Sequence, residues 1–520
     1  MSDDPAARSR LKIFFLFAAE LLAIGYLRLP DSLSFDNFAF CDHGANLTVQ
    51  YLLAHGLRPI LDFGYHYGLL PLLVGRAWFA AFGLNPFAYQ ALMVACDIAM
   101  AWALATVAAR LAFGVLGMAL MFIAIGIAVQ VTYPSLAQAL EAVLLSFALA
   151  EQSAGRWRFA LVFTAASIFA KPSMGYFYSL LLVVFATFEV PDWRTNLGAL
   201  VRIAIPAAVT FSVLSIFLAA VFGSRVLIRS MVPIEGAVSY HALNFGFFTG
   251  SGSAIWRQPG QSWLTYLVTV SGFWIAGTLF LAVAGLFTAG RLATRESRDD
   301  ISALRRDQLV IACAALHIGF VLLFFGNKYS WIYYSYFLVV GVAAAADSNP
   351  PQRKFAFVLC VLAALSWVSV AFWTHRWWQT ETRDTDTAGL WATQDERKEW
   401  SNVLTLGHSD DLTILDTKGA AEILFRGFCP PVTLYLDPGL MHSLDIQRKT
   451  VQLSQARMVV VPTIKGACGG IPNATEFKTA INDFTPVWTG QYLEVFQRLN
   501  NTSNTHGVQS GDLNRRRRPR

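Results

Sequence analysis

Long apolar stretches separated by short polar stops recur from residue 11 to residue 373. A helix crosses the hydrocarbon of a bilayer with about 20 mostly apolar residues, because each unbonded backbone polar group there costs several kcal/mol. The windows that fit are 11–29, 87–109, 113–132, 135–151, 158–171, 174–188, 198–222, 262–289, 308–326, 329–346 and 355–373, eleven in all. Arg8, Arg10 and Lys12 precede the first, with no small-residue cleavage site behind it, so it reads as an uncleaved anchor with a cytoplasmic N-terminus. Residues 69–83 are apolar but short, contain Arg76 and stop at Gly83-Leu84-Asn85-Pro86, which suits an interfacial helix.

Between 158 and 188 the apolar run is divided by Lys171-Pro172-Ser173-Met174-Gly175. Two helices here keep Arg110, Arg156, Arg158, Arg194, the cluster Arg291/Arg295/Arg298/Arg305/Arg306 and Arg353/Lys354 on the cytoplasmic side. A single kinked helix would throw the five-arginine cluster outside. The positive-inside bias therefore favours a re-entrant or hairpin pair with Lys171 near the outer surface. An odd number of spans leaves three pieces outside: a first loop (30–67), a second loop (223–261) and the C-terminal region.

That region has strand-like Leu412-Thr413-Ile414-Leu415, Val432 to Leu436 and Met458 to Val461, a helix-like Ala420 to Phe425, and a hairpin-like pair at 485–488 and 492–497. The expected fold class is mainly α, a polytopic transmembrane helical bundle followed by a small extracytoplasmic α/β domain. The expected divisions are 1–373, 374–500 and a disordered arginine-rich tail, 501–520. No internal repeat and no ATP-binding P-loop is visible.

Composition strengthens the membrane reading. Apolar types make up 55% of the 520 residues and charged types 14%, with 40 Phe, 16 Tyr and 15 Trp, an excess no water-soluble core can hide. A cytosolic enzyme, a disordered chain and a nucleic-acid-binding domain are excluded. The net charge of +6 is largely the tail arginines, Arg515 to Arg518 and Arg520, which bind anionic lipid or nothing. Cys96, Cys313 and Cys360 lie in apolar runs as inert core, whereas Cys429 and Cys468 are hydrophilic-region cysteines able to pair in an oxidising compartment.

Candidate chemistry gathers in the first loop, which holds four acids and three of the nine histidines. A carboxylate among Phe and Tyr rings at the bilayer edge is partly desolvated and makes a better proton acceptor than a solvated one. Each residue also has a plain structural reading. Asp42 is either a general base or the cap of a helix starting near Gly44; Asp62 orients His66, binds a sugar hydroxyl or begins a turn after Pro59. His43, His55 and His66 match no zinc spacing. Lys171 is a phosphate ligand or a snorkelling lysine, and Glu141, inside a span, is a functional group or an interhelical polar contact.

The order of first span, Asp42-His43, Gly56, Pro59, Asp62-Phe63, Tyr67-Gly68 and an apolar helix resembles the GT-C superfamily of polytopic glycosyltransferases that use lipid-linked sugar donors. The resemblance extends to the Lys171-Pro172-x-x-Gly175 break and to the hydrophilic region after the last span. It is nearest to bacterial members that decorate lipopolysaccharide or protein, among them protein mannosyltransferases. As architecture it covers most of the chain, as motif only residues 36–71. Two departures stand: the Asp42 partner is His43 where the family commonly has a second acid, and Leu69-Leu70 precede Pro71.

The resemblance implies an inverting transfer from a polyprenyl-phosphate sugar to a glycan, lipid or protein of the cell envelope, on the periplasmic face of a bacterial inner membrane. Asp42 would be the base, with His43, Asp62, His66 and Tyr67 around the substrate and Lys171, Arg225, Arg229 and Lys328 facing the departing phosphate. No cofactor is required, no metal ligand is assigned, and the need for a divalent ion stays open. Two rivals stand beside it: a lipid-glycan transporter, which would carry ionisable or broken-helix elements near the midplane, none of which is evident in the sequence, and a glycan polymerase or ligase sharing the donor class.

Overall fold

A computed structural model describes residues 5–129, 135–189, 197–232, 270–294, 301–318, 334–346, 350–406, 412–414, 420–426, 443–463 and 479–498. Lys328, Cys429, Cys468, the expected strand at 432–436, most of the second loop and the tail lie outside these residues. The described chain is mainly helical. Twelve helices run through the first half: α1 Pro5–Leu27, α2 Leu29–Ser32, α3 Phe35–Ala39, α4 Asp42–Ala54, α5 Leu70–Phe82, α6 Pro86–Arg110, α7 Val115–Val129, α8 Leu136–Ser153, α9 Trp157–Ile168, α10 Pro172–Glu189, α11 Leu197–Phe222 and α12 Ser224–Met231. Further helices follow at Val270–Thr294, Ile301–Ala314, Ser335–Ala346 and Pro350–Thr380.

Among the described residues three helices are long and apolar enough to cross a membrane by length and composition: Pro86–Arg110, Leu197–Phe222 and Ile275–Leu292. Their starts follow local chemistry. Asn85 caps α6, its Oδ1 accepting from the Ala88 amide at 2.8 Å ahead of Pro86, and Ser135 caps α8 through the Gln138 amide at 3.3 Å. Pro172 opens α10, so the run 158–188 is two packed helices separated by Phe169-Ala170-Lys171.

Two groups of connections mark the two ends of the bundle. At one, Arg110 and Arg156 both approach Glu151 at 3.4 Å, Arg291 bonds Asp307 at 2.5 Å, and Arg306 donates to the Leu111 carbonyl at 2.7 Å. At the other lie α2 to α4, the 169–171 break, α12 and the strands β1 (Glu381–Arg383) and β2 (Trp391–Thr393). Several boundaries differ from the sequence windows, two of them most clearly. The helix expected at 308 starts at Ile301, taking Arg305, Arg306 and Asp307 into its first turns, and the helix expected to stop at 373 continues to Thr380.

Farther on, β3 (Leu412–Ile414), β4 (Met458–Pro462), β5 (Phe484–Thr489) and β6 (Leu493–Arg498) form a sheet in the order β3-β4-β6-β5. The first pair is parallel and the other two antiparallel. This region packs against the first loop. Trp391 donates its amide to the Leu33 carbonyl at 2.9 Å and Ala420 to that of Phe38 at 3.0 Å, while Phe35, Phe40, Trp400 and Phe425 form one aromatic cluster.

Candidate active site

Asp42 is the first residue of α4, not its cap. The capping position is Cys41, whose side chain makes no capping bond, so the helix begins two residues earlier than the sequence indicates. A half-buried carboxylate there faces the positive end of the helix dipole. One turn on, Asn46 donates to the Asp42 carbonyl at 2.6 Å and accepts from the Leu136 amide at 3.2 Å, fastening α4 to the start of α8. Cys41 itself is disulfide-bonded, to a partner outside the described residues. Cys96, Cys313 and Cys360 are free.

His43 turns inward. Only 5% exposed, it packs against Phe38 and Tyr89 with ring centroids 5.3 and 5.6 Å away. Burial pushes its imidazole below the usual range, against the pull of Asp31 and Asp42. Gly44 lets this corner close: a Cβ there would overlap the Phe38 carbonyl and the Ala420 amide, the two groups that join the first loop to the C-terminal region.

Asp62 serves a turn. Its Oδ2 accepts from the Arg58 amide at 2.8 Å and from Arg58 Nε at 3.2 Å, while Ile60 between them takes a left-handed φ of 68°. His66 and Tyr67 are half-buried in the segment that follows. There Gly68 donates its amide to the Ala170 carbonyl at 3.0 Å and Leu70 to that of Phe169 at 2.9 Å. A side chain at 68 would collide with Phe169 and Ala170, so the end of the first loop lies directly on the break that carries Lys171.

Lys171 is partly buried, not a free surface cation. It donates to Tyr334 Oη at 2.9 Å, Tyr334 donates to Glu141 Oε2 at 2.7 Å, and the Lys171–Glu141 separation is 4.0 Å. The buried Glu141 thus has both a hydroxyl and an ammonium partner, as a desolvated carboxylate requires. Tyr334 and Asn46 are further members of this site, outside the pattern of the first loop. An acid and a lysine buried in one bundle were the signal for the first, and nothing local marks the second.

Arg225 and Arg229 are exposed on α12, whose opposite face buries Val226 and Leu227. Those two residues share one core with Ala45, Val49 and Leu52 of α4, Phe63, Leu69 and Phe169. The helix of Asp42, the loop end at Tyr67-Gly68, the break before Lys171 and the helix of the two arginines therefore meet around a single apolar cluster. Lys328 is outside the described residues. Among those residues no group of three or more His, Cys, Asp or Glu side chains is placed to hold a metal ion.

No family model and no curated protein matches the chain. Solved structures similar to it include a crystal structure of ArnT from Cupriavidus metallidurans bound to undecaprenyl phosphate, at 13% identity and a TM-score of 0.38 over 95% of this chain and 99% of that one. The same enzyme in the apo state matches at 14% identity and a TM-score of 0.38, over 92% and 96%. Both scores are too low to assign the chain to a family.

Proposed function

We propose that this chain is a membrane glycosyltransferase that moves a sugar from a polyprenyl-phosphate donor to a glycan, lipid or protein acceptor of the cell envelope. The observation that carries this reading is that the elements bearing these residues, α4 with Asp42, the 169–171 break with Lys171 and α12 with Arg225 and Arg229, pack on one apolar cluster at one end of the bundle. A base and cations carried on neighbouring elements are what a transfer from a lipid phosphate needs. The Cys41 disulfide supports an oxidising, extracytoplasmic face for that end, the periplasm of a bacterium being one such compartment.

In this mechanism Asp42 accepts the proton of an acceptor hydroxyl as its oxygen attacks the anomeric carbon. The new carbon–oxygen bond forms as the bond to the phosphate oxygen breaks, and the electron pair leaves with the polyprenyl phosphate. Attack from the opposite face inverts the anomeric centre. Lys171, Arg225, Arg229 and Lys328 offset the growing phosphate charge, and the fixed loop supplies orientation. Asp62, bound to Arg58, holds the loop's shape, while His43 packs behind the base.

The test is Asp42→Asn. Sugar transfer is expected to fall by about 10²- to 10⁴-fold, the range typical of a lost general base, with membrane insertion and protein amount unchanged. Transfer at close to the wild-type rate would remove Asp42 from the chemistry.

A further inference from the structure

α1 and α6 run antiparallel: Arg10 and Phe14 meet Trp102 near one end, and Arg28 shares lining with Gln90 near the other. Between them is a cavity of about 190 Å³ with mostly apolar walls. Its polar lining is unusual for the depth. Asp97 is the twelfth residue of the 25-residue α6, about 16 Å from the helix start at 1.5 Å per residue. It is an ionisable group near the middle of a span-length helix.

Among the described residues no charged side chain acts on the Asp97 carboxylate. Gln90 Oε1, buried in the same lining, has no hydrogen-bond partner either. A carboxylate in hydrocarbon without a partner is costly and marks a functional site by default. Two acceptors thus face one cavity with no protein donor.

The opposite wall and rim differ in sign. Arg28 bonds Asp31 and lies 5.9 Å over the Trp377 ring, yet its Nε has no partner among the described residues; Ser32 adds a hydroxyl beside it. Helical side chains tilt toward the N-terminus of their own helix, so Asp97 leans toward the start of α6, the end of the cavity that Arg28 and Gln90 line. Tyr26, 64% exposed and 5.2 Å from the Trp378 ring, marks the rim as headgroup depth, where Tyr and Trp concentrate.

We propose that this cavity binds the head of an aminophospholipid, its primary ammonium donating to Asp97 and Gln90 and its phosphate resting on Arg28 and Ser32. A quaternary ammonium has no N–H to give two acceptors, and a glycerol head has no charge to balance the carboxylate. The site is distinct from the Asp42 cluster and does not depend on the transferase reading.

Native mass spectrometry of the full chain in detergent, titrated with phosphatidylethanolamine, phosphatidylcholine or phosphatidylglycerol of identical acyl chains, tests this. Wild type is expected to retain the ethanolamine lipid about tenfold more strongly than the others, the scale of one charge-assisted hydrogen bond. Asp97→Asn is expected to erase that preference while leaving total lipid retained unchanged, and Gln90→Leu to reduce it by about threefold. Equal retention of the three lipids, a preference for the glycerol lipid, or an ethanolamine preference that survives in both variants would each overturn the proposal.

Discussion

Two ionisable side chains near the first loop respond to pH with opposite sign. Folded His43 resists protonation relative to the ordinary value of 6.5 because it is buried. Below that value the unfolded chain binds more protons than the folded one, and acid favours unfolding. The melting temperature is expected to be flat above about pH 6.5 and to fall below it, and His43→Gln to weaken that acid limb. Glu381 is raised from 4.5 to about 7 by burial, with Glu396 and Asp31 adding to the effect. Its contribution is full below 4.5 and is lost as the pH rises through about 7. Glu381→Gln should therefore raise the melting temperature at pH 8 and leave it unchanged at pH 4, which thermal unfolding at the two pH values would show. Neither residue's environment was legible in the sequence: His43 is buried against Tyr89 of another helix, and Glu381 lies within reach of Asp31, hundreds of positions earlier. Asp42 was legible as an acid among aromatics at the edge of an apolar run, although its place as first helical residue, not cap, emerges only from the backbone.

At the scale of elements, the break at Lys171-Pro172 was readable because proline cannot continue a helix and its predecessor avoids the helical region. The partners of that break were not readable. Gly68 lies about one hundred positions before it and Tyr334 163 after Lys171, and no periodicity links them. The Lys171–Tyr334–Glu141 chain gives a direct test of whether Lys171 serves the donor phosphate. Tyr334→Phe deletes one acceptor and one donor and keeps the ring that sits 5.0 Å from the ammonium. Losing the Lys171–Tyr334 hydrogen bond, of about 0.5–1.5 kcal/mol, should raise KM for the lipid donor by about 2- to 12-fold through a less well-held lysine. The rate constant at saturating donor should change little. A variant with unaltered KM would leave Lys171 with a purely structural pairing. Steady-state kinetics over a range of donor concentration separates the two outcomes.

For the whole molecule, packing constrains how the chain threads a bilayer, independently of any hydropathy window. Leu33 and Trp391 share a hydrogen bond of 2.9 Å, so the chain between them crosses an even number of times. Val226 and Leu227 pack with Val49 and Leu52, so the same parity holds from the first loop to α12. If each window read from the sequence crosses once, counting 158–188 as one crossing leaves five spans between α4 and α12, which would put contacting residues on opposite faces, whereas counting it as two leaves six. The arginines gathered around Glu151, Leu111 and Asp307 occupy the other end, as the positive-inside bias requires if that end is cytoplasmic. Single cysteines at exposed His55 and Thr385 should accordingly react with a membrane-impermeant maleimide from outside intact cells, and one at exposed Arg158 only after the membrane is permeabilised. Labelling of Arg158→Cys in intact cells, with His55→Cys and Thr385→Cys protected, would invert the molecule and move Asp42 to the face where lipid-linked donors would have to be presented from the cytoplasm. Labelling that split His55→Cys from Thr385→Cys would contradict the packing of the C-terminal region on the first loop.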